Sequence, residues 1–162
     1  MSVEAYLDIE TTGLSWFYGE VTVVGVYIVG QGVERFIQLV GGDVTKENLL
    51  RALENVDTIY TYNGSRFDIP FINATLGLDL RQYFNHKDLM YDCWECNLYG
   101  GLKGVERTLG IPRALPDVNG YLAVILWEKY CRSGDRRALA TLLKYNKEDV
   151  VNLRVLREKL RV

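Results

Sequence analysis

The stretch Val3-Glu4-Ala5-Tyr6-Leu7-Asp8-Ile9-Glu10 decides the reading of this chain. Its apolar residues Tyr6, Leu7 and Ile9 make it a strand, and Thr11-Thr12-Gly13 supplies turn chemistry at its end. Residues i and i+2 of a strand point to the same face, so Asp8 and Glu10 stand side by side while Leu7 and Ile9 face the other way. Adjacent carboxylates repel unless something positive sits between them. A hard divalent cation such as Mg²⁺ answers that need, because it accepts carboxylate oxygens and keeps positions open for phosphate and water. The alternative is a pair of solvated acids at a strand end.

Working outward, Val21–Val29 and Val33–Val40 are β-rich runs broken by Gly30-Gln31-Gly32, a hairpin signal. The first three strands therefore read as an antiparallel meander. Thr45, Asn48, Leu49, Leu50 and Leu53 indicate a short helix, and residues 57–62 a further strand. Asp68-Ile69-Pro70 reads as a helix start with Asp68 as the cap. A short strand is expected at 88–91, then helices at 102–109 and 121–130. Asp135 is placed to cap a last long helix with apolar positions at Leu139, Leu142, Leu143, Val150, Leu153, Leu156 and Leu160. Strands first, then alternating β and α, then helices, imply an α/β fold with a mixed sheet covered on both faces.

Composition agrees with one globular domain. The chain has 162 residues, 48% of them apolar and 25% charged, enough for a core without staples. The longest apolar run is too short to span a bilayer, and the N-terminus lacks the pattern of a signal peptide. Three sparse cysteines suit a reducing compartment, so a cytoplasmic location is expected. Net charge is −2, but residues 1–128 carry −8 and residues 129–162 carry +6. The basic end offers Lys129, Arg132, Arg136, Arg137, Lys144 and Lys147 to a polyanion, or simply solubilises a helix.

Two further segments carry chemistry. Asn63-Gly64-Ser65-Arg66-Phe67-Asp68 follows a strand and opens a helix, placing Asp68 at the sheet edge where α/β folds gather ligands. Tyr145-Asn146-Lys147-Glu148-Asp149 puts Tyr145 and Asp149 on one helix face. Of eleven tyrosines, only Tyr145 has an aspartate four residues later, so the pairing is not a by-product of tyrosine abundance.

Together, Asp-x-Glu, Asn-x-x-x-Phe-Asp and Tyr-x-x-x-Asp, in that order, resemble the three motifs of the DnaQ-like (DEDD) 3′–5′ exonucleases. Tyr145 places the chain in the DEDDy branch, similar to the proofreading domains of family B DNA polymerases. The histidine branch would need histidine at position 144, which is Lys144. Leu102-Lys103-Gly104-Val105-Glu106 with Leu109-Gly110-Ile111 resembles stand-alone ribonuclease H-like members. The resemblance implies a ribonuclease H-like three-layer fold with a five-stranded sheet, forming a single domain over residues 1–162. It implies Asp8, Glu10, Asp68 and Asp149 as ligands of two divalent metal ions, Mg²⁺ or Mn²⁺, with Tyr145 orienting or helping to activate the attacking water. A tyrosine of ordinary pKa near 10 is a poor base at neutral pH, which favours orientation. Thr11 and Leu14 would touch the terminal nucleotide, and Asn63 and Phe67 would line the same cleft; from the basic surplus of the last helix, Lys144 would track the substrate backbone. Phe67 fits core packing equally well.

The expected activity is hydrolysis of phosphodiesters at 3′ ends, on single-stranded or frayed DNA before RNA. An exoribonuclease, a structure-selective endonuclease and an inactive nucleic-acid-binding module are the alternatives. A polymerase, helicase or other repair or replication protein is the expected partner. Trp16, Phe17 and Tyr18 either stack on frayed bases or form a lid over the core. Cys93-Trp94-Glu95-Cys96 has spacing that can mark zinc or redox chemistry, but zinc would need two more ligands and only Cys131 and His86 remain outside the carboxylates, so buried, unligated cysteines are expected. His86 reads as structural, and Asp88 as either a strand-end acid or a neighbour of the metals.

Overall fold

The computed structural model describes residues 2–162. Its sheet has strands β1 (Glu4–Thr11), β2 (Val21–Gly30), β3 (Val33–Val40), β4 (Thr58–Thr61) and β5 (Asn85–Asp88) in the order β3-β2-β1-β4-β5. The first three are antiparallel, and β4 and β5 run parallel to β1. Gly30 pairs with Val33, so the hairpin turns on Gln31-Gly32 alone. Both have positive φ, +52° and +76°, the geometry that matches strand twist in a two-residue loop.

Alternation along β1 sorts the layers. Ala5, Leu7 and Ile9 bury one face of the sheet with α1 (Lys46–Ala52) and α2 (Asp68–Leu76), through Leu49, Leu53, Ile69, Phe71 and Ile72. Tyr6, Asp8 and Glu10 occupy the other face, beneath α3 (Leu89–Glu95), α4 (Leu102–Leu109), α5 (Gly120–Ser133) and α6 (Arg136–Leu160). The expected mixed five-stranded sheet with helices on both faces is therefore present. No helix among the described residues is long and apolar enough to cross a membrane.

Helix α6 is the main cover over the site face. Asp135 caps it as expected, accepting from the Ala138 N–H at 3.0 Å. Leu142, Val150, Leu153 and Leu156 are fully buried along one stripe, each contributing about 1.5–3 kcal/mol of burial. The helix lies tight on β2 because Gly25 has no side chain. A Cβ there would come within 2.2 Å of Asn146 Oδ1 and 2.9 Å of Val150 Cγ2.

Two local expectations are corrected. Residues 88–91 are not a strand: β5 ends at Asp88, whose carboxylate accepts from the Met90 N–H and starts α3. Asp68 is not the cap of α2 but its first residue; Phe67 holds the cap position without a side-chain bond. Gly25→Ala should lower stability by about 1–3 kcal/mol through overpacking, read as a lower urea midpoint at unchanged slope.

Candidate metal centre and nucleic-acid cleft

The site forms where β1 ends. Opposite Glu10 and Thr11 the register slips, leaving Thr22 of β2 as an extra residue. Such a bulge bends the strand and re-aims the side chains next to it. From here the chain enters the Thr11–Leu14 turn, which walls a cavity of about 500 Å³. Asp8, Glu10, Asp68, Tyr145 and Asp149 line it, together with Thr11, Leu14, Asn63, Phe67, Tyr121 and Val124.

Oxygens of Asp8, Glu10 and Asp149 all lie within 4.8 Å of one another. Asp68 borders the same cavity but stands outside that group, its Oδ2 accepting from the Ile9 N–H at 3.2 Å. Burial, then the charges of Asp149, Glu10 and Asp68, hold the Asp8 carboxyl well above the usual carboxylate range. Burial and then Asp149 do the same to Glu10. Burial pushes Asp68 up to about 7, and Asp149 up to about 6 despite the Arg113 guanidinium beside it. Among the described residues, Glu10 Oε1 is buried without a hydrogen-bond partner. Crowded hard oxygens with one left unsatisfied fit a divalent cation of the Mg²⁺ or Mn²⁺ type.

Tyr145 is buried at the cavity wall, and burial followed by the surrounding carboxylates raises its hydroxyl far above the ordinary value. It is therefore a neutral donor and acceptor at working pH. Lys103 Nζ lies 4.8 Å from its ring centroid and the Arg113 guanidinium 5.6 Å.

Arg113 and Glu106 carried no role in the motifs of the sequence. Arg113 Nε meets Glu106 Oε2 at 2.8 Å, and its Nη2 donates to Asp149 Oδ1. Glu106 is 1% exposed and also accepts from Asn152 Nδ2 at 2.9 Å. Glu148 secures the loop after Arg113 by accepting from the Ala114 and Leu115 N–H groups at 2.7 and 2.9 Å. The only signal for them in the sequence is the family-like stretch that contains Glu106 and ends at Ile111, two residues before Arg113.

Asp88 faces a loop: it accepts from the Asn63 and Ser65 N–H groups at 2.8 and 3.1 Å, which fixes Asn63 at φ +59° beside the cavity. Phe67 packs on Phe71 at 5.4 Å between centroids and also lines the cavity. Trp16, Phe17 and Tyr18 are not a lid over the core; Phe17 and Tyr18 are 81% and 94% exposed. Lys144 is exposed and does not line the cavity. Lys147, another of the basic candidates, places its ammonium 5.2 Å over the ring of Phe36 on β3. Of the two cysteines expected to be buried, Cys93 is and Cys96 is exposed; Cys131 is exposed as well, and all three are free. His86 is structural, with Nε2 2.8 Å from Thr61 Oγ1.

Raised carboxyl pKa values mean that the folded chain binds protons more readily than the unfolded one. Stability without metal should therefore fall as pH rises from about 4, the unfolded carboxylate value, through about 7, the Asp68 value. In chelator, the melting temperature should drop over that window. Asp68→Asn, which keeps an acceptor for Ile9, should flatten the upper part of the drop by several degrees. Parallel curves for the two proteins would show that Asp68 is not the group titrating there.

The RNase H superfamily model matches residues 5–161. The family B DNA polymerase of the archaeon Pyrobaculum calidifontis aligns over 99% of this chain at 19% identity and TM-score 0.76, and the chain spans 24% of that polymerase. A protein described as the apo form of a nuclease aligns over 98% of this chain and 70% of its own, at 23% identity and TM-score 0.63. Brucella melitensis NrnC with bound Mg²⁺ aligns over 98% and 83%, at 19% identity and TM-score 0.51. At these identities the likeness is one of fold. A search of curated proteins finds no match. With a family model spanning nearly its whole length, the chain belongs to the RNase H superfamily.

Proposed function

We propose that this chain is a metal-dependent 3′–5′ exonuclease of the DEDDy type, acting as a single domain on the 3′ ends of single-stranded or frayed DNA. The observation that carries the reading is the convergence of Asp8, Glu10 and Asp149 oxygens within 4.8 Å, in a cavity also lined by Asp68 and Tyr145. The Mg²⁺ bound to the NrnC structure and the polymerase context of the Pyrobaculum structure support it.

Asp8, Glu10 and Asp149, with Asp68 beside them, would hold two divalent cations that lower the pKa of water and stabilise charge on the departing 3′ oxygen. The chain's own residues do the positioning. Tyr145, kept neutral by burial, offers its hydroxyl to orient the attacking water rather than to remove its proton. Thr11, Leu14, Asn63 and Phe67 line the space for the terminal nucleotide. Leu14, Phe17 and Tyr18, exposed on the loop continuing from that wall, give unpaired bases an apolar surface without reading their sequence. Lys144 tracks the backbone from outside the cavity. A polymerase, helicase or other repair or replication protein supplies the 3′ ends.

The test is cleavage of 5′-labelled single-stranded DNA, matched RNA and a 3′-mismatched duplex, with Mg²⁺ and then Mn²⁺. A descending ladder is expected, absent in Asp8→Ala and slowed about 100-fold in Tyr145→Phe. A ladder on RNA alone would reassign the substrate. No cleavage by the wild-type chain on any substrate would replace the enzyme by a binding module.

A further inference from the structure

Asp8, Gly25 and Gln38 are register partners across β1, β2 and β3, so all three project from one face of the sheet in a single row. The row is about 10 Å from end to end at ordinary strand spacing. Its middle position is bare, and the fully buried side chain of Asn146 lies down in that gap. From there Asn146 reaches both ends. Its Nδ2 donates to the Asp8 carbonyl at 3.2 Å and lies 3.4 Å from Asp8 Oδ2. Its Oδ1 accepts from Gln38 Nε2 at 2.9 Å.

An amide can be turned end for end, so something must decide which end faces Asp8. The decision is anchored at both ends of the row by carbonyls that can only accept, that of Asp8 and that of Leu143. Gln38 Nε2 also donates, at 2.8 Å, to the backbone carbonyl of Leu143, which can only accept. That carbonyl turns the Gln38 amine toward α6. The amine then claims the Asn146 oxygen, and the Asn146 amine is left pointing at Asp8. Neither Gln38 nor Asn146 lines the cavity.

We infer that Gln38 and Asn146 are positioning residues: a polarity relay, running from the Leu143 carbonyl across bare Gly25, that fixes the Asp8 carboxylate for its cation. The inference rests on the metal-site reading proposed for Asp8, Glu10 and Asp149. Partners of metal ligands typically change affinity 10–100-fold when removed, although they never touch the ion.

Asn146 is fully buried and its variants risk misfolding, so the test uses half-buried Gln38. Gln38→Glu keeps the shape but as a carboxylate cannot donate; it leaves the Asn146 oxygen without its donor and competes with Asp8 for the Asn146 amine. Gln38→Met removes the donor without competing for that amine. Mn²⁺ binding by calorimetry without substrate, alongside thermal melts in chelator, should rank affinity as wild type, then Met, then Glu, with Glu weakened about 10-fold or more. Pure packing predicts the reverse, because Glu is the better fit in shape. Added negative charge also predicts the reverse, since it would attract the cation. Wild-type binding with Glu equal to or tighter than Met would overturn the relay alone. A wild-type chain that binds no Mn²⁺ would overturn the metal site and the relay together.

Discussion

Carboxylates that cannot escape one another at the end of β1 set the terms for everything around them. Asp8 and Glu10 are fixed side by side by the period of the strand, and Asp149 is brought over them by α6. Such a cluster persists only where the surroundings leave it nowhere to go. The surroundings here are hydrophobic layers on both faces of the sheet, which hold β1 central and α6 flat against it. Core packing therefore supplies the free energy that keeps like charges together, and the site stores part of it as raised carboxyl pKa values.

The second requirement is accuracy, and the chain meets it with polar partners drawn largely from outside the cavity. Within one turn and a little more of α6, each polar residue reaches a different neighbour. Asn146 reaches β1 and β3, Glu148 the loop after Arg113, and Asp149 the guanidinium of Arg113. Asp88 performs the matching task across the cavity by holding the backbone of Asn63 and Ser65. A site on strand ends and a helix is made precise this way, because Asp8 and Asp149 are each held by a side chain outside the acidic cluster.

What was legible in the sequence was local. The Asp8–Glu10 pairing comes from a period of two, and the Tyr145–Asp149 pairing from a period of 3.6. The β2–β3 hairpin comes from its glycines, and the α6 start from Asp135. The illegible parts depend on residues far apart in the chain. Arg113 and Asp149 are separated by 36 positions and Gln38 and Asn146 by 108, and no periodicity links them. Boundary errors share a cause: Asp68 and Asp88 are good capping residues by type, but tertiary bonds decided between them. Asp68 was claimed by the Ile9 N–H, while Asp88 both capped α3 and tied down its neighbouring loop.

Arg113 also gives part of the acidic cluster a counter-charge of its own. An arginine keeps its proton at every pH a cell reaches, so its positive charge is part of the covalent chain. By standing between buried Glu106 and Asp149, it gives the acidic cluster a resident counter-ion that cannot diffuse away. On the metal-site reading proposed above, assembly of the fold would then not depend on arrival of the cation. A zinc finger must wait for its metal to fold; here a covalently held charge stands beside the acids from the start.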